Sequence, residues 1–194
     1  HDSKESSSLI HMFFAERNAL KIPDIAKETK TYSINTAAVI GCGTMGGGIA
    51  MNFANVGIPV VVIENSQESL DKGIKLIEKN YSNTVSKGRM SEDDFKKRMS
   101  LIKGETSLES ISNADIIIEA VFEEMNLKKD MFKRIDKIAK KDCILATNTS
   151  TLDIDQIANV TSRSGDVIGT HFFSPANVMR LLEVVRGTNT NKEV

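Results

Sequence analysis

The sequence predicts an α/β fold with a doubly wound, mainly parallel sheet and one helix placed ahead of it. Three observations predict this. From residue 34 onward, short apolar runs alternate with longer amphipathic stretches. Several of those runs, such as V-V-V-I at 60–63 and I-I-I at 116–118, are β-branched and unbroken, as strands covered on both faces are. Five of the twelve glycines crowd into positions 41–48, directly after the first run. Strands that alternate with helices imply β–α–β units and parallel pairing.

The elements follow in order. Leu9, Phe13, Glu16 and Leu20 recur at three- and four-residue spacing, as do Ile10 and Phe14. They predict an amphipathic helix, capped by a serine of the 6–8 run, with Pro23 beyond its end. Its apolar face covers either its own domain or a neighbouring one. Positions 23–33 read as a linker. Strands are expected at 37–40, 59–63, 115–119, 143–146, 167–170 and 181–185, where apolar β-branched residues concentrate. Helices are expected after the glycines, at 66–87 with Leu70, Ile74, Ile77 and Tyr81 on one side, and at 124–140. A short helix opens at Ser91, with Glu92, Asp93 and Asp94 placed to complement its dipole.

Composition narrows the function. The chain has 194 residues, a size that suits one domain of roughly 100–200 residues. Its 25 basic and 26 acidic residues leave a net charge of −1, without the basic surplus that nucleic acids or anionic membranes attract. No apolar run reaches the ~20 residues of a membrane helix, and the polar first ten residues carry no secretory core. Cys42 and Cys143 form neither a disulfide framework nor a zinc spacing. No metal site is expected.

Gly41, Gly43 and Gly46 form G-C-G-T-M-G, a G-x-G-x-x-G match. It lies between a strand and a helix, and a second buried strand then ends in Glu64. That context is the Rossmann dinucleotide fingerprint. Gly41 permits the turn, Gly43 lets the backbone approach a pyrophosphate, and Gly46 brings helix and sheet together. The helix start, with Thr44 and Met45, offers its N–H groups to phosphate. Glu64 accepts the adenosine ribose hydroxyls and repels a 2′-phosphate, which favours NAD over NADP. The bland alternative is a glycine-rich turn with no ligand.

His171 ends the strand at 167–170, and Glu183 follows twelve residues on, inside an apolar run. A carboxylate there is costly unless paired. A His–Glu pair holds the imidazole in one tautomer and favours imidazolium. Such a histidine takes and returns a proton, as alcohol oxidation beside a nicotinamide requires. A satisfied structural histidine is the alternative. Asn148 and Ser150, in N-T-S-T at 148–151, follow another strand end, where α/β sheets bind ligands. They bind substrate or cofactor, or the run caps a helix. After the strand ending near Ala120, Glu123, Glu124 and Lys128 reach the nicotinamide ribose, or Glu124 and Lys128 form a solvated i,i+4 pair.

Four segments carry a specific resemblance. They are V-I-G-C-G-T-M-G-G-G-I-A at 39–50, I-E-A-V-F-E-E-M-N-L-K-K at 118–129, A-T-N-T-S-T-L-D at 146–153 and I-G-T-H-F-F-S-P-A-N-V-M-R-L-L-E-V-V at 168–185. In order and spacing they resemble the NAD-binding domain of L-3-hydroxyacyl-CoA dehydrogenases, over about 34–187. H-M-F-F-A-E-R at 11–17 and Ser174 in H-F-F-S-P resemble the multifunctional β-oxidation enzymes of peroxisomes and bacteria.

The resemblance implies a catalytic base at His171, its partner at Glu183, and a contact from Ser150 to the substrate's 3-oxygen. It implies NAD contacts at Gly41, Gly43, Thr44, Met45 and Gly46, and at Glu64. Further contacts are implied at Ala120, Glu123, Lys128 and Asn148, with Ser174 close by. It implies an acyl-CoA substrate, a peroxisomal or bacterial cytoplasmic setting, and covalently linked partner domains. On this reading 1–33 is a linker helix and linker closing a hydratase/isomerase part that is missing, and 34–194 is the NAD-binding domain. A helical C-terminal domain is absent. Two rivals stand beside it: a 3-hydroxyacid dehydrogenase that does not use CoA, and a cofactor-binding module without turnover.

Overall fold

The computed structural model describes residues 3–194. His1 and Asp2, part of the polar leader, lie outside the described residues. The chain divides into two compact units, the first ending at Thr31 and the second running from Tyr32 to Lys192 with Val194.

In the first unit, α1 spans Lys4–Ala19. The expected cap in the 6–8 serine run is corrected: Ser3 caps the helix, its hydroxyl accepting from Ser6 N at 3.2 Å. Ser6, Ser7 and Ser8 lie inside the helix, where Ser8 donates back to the Lys4 carbonyl. None of the helix's residues is buried. Phe13 meets Phe14 edge-on at 5.4 Å, and the Arg17 guanidinium stands 5.4 Å from the Phe13 ring.

The second unit runs β1 (Ala37–Ile40), α2 (Thr44–Asn55), β2 (Val60–Ile63), α3 (Gln67–Ser86), α4 (Glu92–Ser100), β3 (Ile102–Glu105), β4 (Ile116–Glu119), α5 (Met125–Ile138), β5 (Ile144–Thr147), α6 (Ile154–Ala158), β6 (Val167–Phe172) and β7 (Leu182–Arg186). The strands form one sheet in the order β3-β2-β1-β4-β5-β6-β7. All pairings are parallel except the last, where β7 runs antiparallel to β6.

The sheet is wound on both faces. Along β1, Ala37 and Val39 enter one apolar cluster with Ile49 of α2 and Ile77 and Tyr81 of α3. Ala38 and Ile40, pointing the other way, enter a second with Phe132 and Ile135 of α5 and Ile157 of α6. The period of two along a strand thus divides one apolar run between two cores. Each buried isoleucine in them contributes roughly 1.5–3 kcal/mol. Ser66, Ser91, Glu124 and Asp153 cap α3, α4, α5 and α6 through their side chains.

The order places a switch point between β1 and β4. The chain moves outward from β1 through β2 to β3, then crosses back to β4 on the other side. The crevice at the carboxyl ends of the strands there is where such sheets bind ligands.

Candidate active site

The glycine loop leaves β1 at that crevice. Gly41 has φ +100°, and a Cβ there would sit 2.8 Å from the Ala120 carbonyl oxygen. Gly46 is required by contact, since its Cβ would lie 1.9 Å from the Gly41 oxygen. Gly43 is the N-cap of α2, and a Cβ on it would meet nothing within 4 Å. No side chain caps this helix and its first turn carries no acid. Its early N–H groups, with the positive end of the helix, are therefore left for an anion beside exposed Thr44 and half-buried Met45. These features fit the pyrophosphate of a dinucleotide.

Glu64 closes this half. Its Oε1 accepts from Cys42 N at 2.7 Å and its Oε2 from Asn65 N at 3.1 Å. The carboxylate is fixed at the end of β2 with lone pairs to spare for ribose hydroxyls. Cys42 is buried, and burial, with Glu64 nearby, pushes its thiol up to about 12. It holds no reactive thiolate.

Two further turns leave β4 and β5. Glu123 Oε1 accepts from the Thr149 hydroxyl and from Ser150 N at 3.0 Å, while the Ser150 hydroxyl stands 3.5 Å away. Burial pushes the Glu123 carboxyl up, but the Thr149 and Ser150 hydrogen bonds and the Lys128 charge outweigh it, and the net direction is down. Asn148 Oδ1 accepts from Phe172 N at 3.1 Å, which ties this turn to the residue after His171. Ser150 is exposed at the turn.

The resemblance implies Lys128 at the cofactor. The structure buries its ammonium completely, against Glu119 Oε1 at 2.8 Å, Glu119 Oε2 at 2.9 Å and the Asn148 carbonyl at 3.1 Å. Glu123 Oε2 lies 3.6 Å off. The alternative, a solvated pair with Glu124, is corrected, because the Glu124 carboxylate caps α5 by accepting from Asn126 N and Leu127 N. Glu119 is the residue that sequence reasoning missed. Its signal was present: Lys128 shares the buried stripe of α5 with Phe132 and Ile135, so a buried counter-charge was required.

The antiparallel seam sets the last pair. His171 and Glu183 are register partners across β6 and β7, and His171 Nδ1 lies 2.7 Å from Glu183 Oε2. A carboxylate only accepts, so Nδ1 carries the proton and Nε2 is the ring nitrogen left for other work. The Phe173 ring lies 4.5 Å from the imidazole. Glu183 lies inside the apolar run 181–185, yet β7 is an exposed edge and the Glu183 side chain is 53% exposed. Ser174 follows at the start of the exposed loop, joined to Pro175 by a cis peptide. That loop rests on α2, where a Cβ on Gly48 would come within 3.0 Å of Asn177 N.

Among the described residues no cluster of three metal-ligating side chains occurs, and no helix is long and apolar enough to cross a membrane.

Comparison with known proteins agrees with this geometry. The family described as 3-hydroxyacyl-CoA dehydrogenase, NAD binding domain, matches residues 36–194. The chain is similar to a peroxisomal fatty acid beta-oxidation multifunctional protein of Arabidopsis thaliana, 42% identical over 99% of this chain and 27% of that one. It is similar to a 3-hydroxybutyryl-CoA dehydrogenase of Clostridioides difficile, 44% identical over 80% of this chain and 55% of the other. Among solved structures, the (S)-3-hydroxybutyryl-CoA dehydrogenase of Ralstonia eutropha superposes with a TM-score of 0.80 at 40% identity, over 81% of this chain and 56% of that one. The dehydrogenase part of a multifunctional enzyme from C. elegans gives 0.78 at 33%, over 89% and 40%. The chain thus spans about a quarter of the multifunctional plant relatives.

Proposed function

The chain belongs to the 3-hydroxyacyl-CoA dehydrogenase NAD-binding family, and from that premise we propose that it forms the cofactor side of an active site oxidising L-3-hydroxyacyl-CoA to 3-oxoacyl-CoA. The observation that carries this reading is the His171–Glu183 contact, 2.7 Å across paired strands at the sheet end that also holds the glycine loop.

His171 Nε2 takes the proton of the substrate's hydroxyl. Glu183, on Nδ1, keeps that nitrogen protonated and stabilises the imidazolium as it forms. The Ser150 hydroxyl orients the reacting oxygen. Gly43, Thr44 and Met45 meet the pyrophosphate, and Glu64 the adenosine ribose. Glu123 and Ala120 lie toward the nicotinamide ribose, with Asn148 and Ser174 beside them. The nicotinamide, when bound, supplies the hydride acceptor. The acyl-CoA substrate, linked hydratase/isomerase activity and a peroxisomal or bacterial cytoplasmic setting follow from the same reading. Plant relatives are described as peroxisomal or glyoxysomal.

The test is NADH oxidation with acetoacetyl-CoA by the protein carrying this chain. Turnover that disappears in His171→Ala while NADH still binds is the expected result. NADH binding with no turnover in the unaltered protein leaves a cofactor-binding module instead.

A further inference from the structure

Strand β7 has to keep Glu183 opposite His171, and burial gives it little help. All five of its residues are exposed, and it carries apolar side chains on both faces, Leu182 and Val184 on one and Val185 on the other. A strand of that kind specifies its register weakly. The approach to it adds little: Ala176 and Asn177 rest on α2, but Val178 to Leu181 are exposed.

The far end of the strand is built differently. Thr188, five residues past Glu183, is held twice by one carboxylate. Its N–H donates to Asp155 Oδ1 and its hydroxyl to Asp155 Oδ2, both at 2.6 Å. Those two bonds draw the Asp155 carboxyl below its ordinary value. Gly187 passes so close that a Cβ on it would lie 2.5 Å from Asp155 Oδ1. The chain then turns back onto the start of β6. Thr190 Oγ1 accepts from Gly187 N at 2.9 Å and donates to the Val167 carbonyl at 2.8 Å, and Asn191 N donates to the Gly165 carbonyl at 2.8 Å. These bonds form a clasp that ties the end of β7 to α6 and to the root of β6. Because β7 runs antiparallel to β6, the clasp lies at the opposite end of the seam from His171.

We propose that Asp155 and Thr188 are positioning residues for the reaction: the clasp they close behind β7 fixes that strand along β6 and so keeps Glu183 on the His171 imidazole. An edge strand has one neighbour, and its end frays unless it is tied down. With the clasp open, β7 is free to lift and shift at its end, and the 2.7 Å contact between His171 and Glu183 is made for a smaller share of the time. Proton transfer is slowed in that proportion, while the glycine loop, on other strands, keeps its grip on the cofactor.

The inference rests on the reading of His171 and Glu183 as the catalytic pair, so Glu183→Ala is measured first, in the whole protein, by NADH oxidation with acetoacetyl-CoA. An unchanged kcat there refutes that reading and the inference with it. Asp155→Ala is expected to lower kcat about tenfold, the equivalent of one hydrogen bond to a charged group, with NADH affinity unchanged in a fluorescence titration. Thr188→Val removes only the hydroxyl arm and should lower kcat roughly threefold. Thr188→Ser keeps that arm and should restore full turnover. The two Thr188 variants keep the inference testable where Asp155→Ala does not fold. With Glu183→Ala already in place, Asp155→Ala should cost less than about twofold more, because coupled groups are not additive. A merely structural clasp would lower the melting temperature and leave the kcat of the folded enzyme unchanged. That result, or a full tenfold loss in the Glu183→Ala background, overturns the inference while leaving the catalytic pair in place.

Discussion

Two glutamates near the carboxyl edge of one sheet each hold a basic side chain, and their surroundings are opposite. Glu119 and Lys128 are sealed at 0% exposure, whereas Glu183 and His171 are 53% and 23% exposed. In the sealed pair each group is hydrogen-bonded on every side. Removing either partner would leave a lone charge in a dry place, which is costly. The open pair contains the one side-chain type whose ordinary titration range spans neutrality. Its second ring nitrogen faces away from its partner. The dry pair joins the exits of two strands, and the wet pair is the one proposed to take a proton from substrate.

That contrast can be broken, beginning with its largest expected effect. His171→Ala should lower turnover with acetoacetyl-CoA by about 10²–10⁴-fold, the usual contribution of a positioned base. Stability should hardly change, because half-open pairs contribute only about 0–1 kcal/mol. Steady-state kinetics and a thermal melt check both halves. Lys128→Met alone should instead destabilise the fold, by about 3–5 kcal/mol, since Glu119 is left buried without its cation. Urea unfolding measures this.

Glu64 adds a carboxylate of a third kind, held by the backbone amides of Cys42 and Asn65. Glu64→Ala should weaken NADH about tenfold, the equivalent of a charged hydrogen bond. It should also narrow the gap to NADPH, whose 2′-phosphate the carboxylate repels. Paired titrations with the two cofactors decide it.

The smallest effect belongs to a third pair at the other end of β4. Asp115 lies 2.5 Å from Lys140 and also accepts from Asn35 N and Thr36 N, with side-chain exposures of 16% and 40% for the acid and the lysine. The Lys140 hydrogen bond lowers the Asp115 carboxyl to about 2, against the opposing push of burial. The folded state thus binds this proton less readily than the unfolded chain. Its contribution is present above about pH 4 and is lost as the pH falls toward 2. With solvent screening at Lys140 the contribution is about 1 kcal/mol. Asp115→Asn should remove that part of the acid sensitivity in melts between pH 5 and 2.

The sequence was most legible where local pattern and chemistry coincide. G-C-G-T-M-G between two apolar runs marks both a strand end and a phosphate-facing helix, and the structure places Gly41 and Gly46 where no other residue fits. The twelve-residue gap from His171 to Glu183 was readable because a long loop allows the strands to turn back on each other. What escaped notice lacked such coincidence. The edge strand β3 reads I-K-G-E, with Lys103 and Glu105 on one open face as an ion pair, so it carries no continuous apolar run. Helix α6 is five residues long, too short to display a period. Glu119 was hidden inside I-I-I-E, where a strand's last residue looks like the start of a loop. Only the lysine nine positions later, on a buried stripe, reveals that it is interior.

The seam between β6 and β7 has a consequence for variation. His171 meets Glu183 because Ile168, Gly169 and Thr170 are matched with Arg186, Val185 and Val184 alongside. A slip of one residue would turn every β7 side chain to the opposite face and carry Glu183 away from the imidazole. The exposed stretch from Val178 to Leu181 therefore has room to change in sequence provided this alignment survives, whereas Ala176 and Asn177 are held against α2. The contact between His171 and Glu183 depends on a count of backbone steps, and a single uncompensated insertion in the strand would break it with both residues still in the sequence.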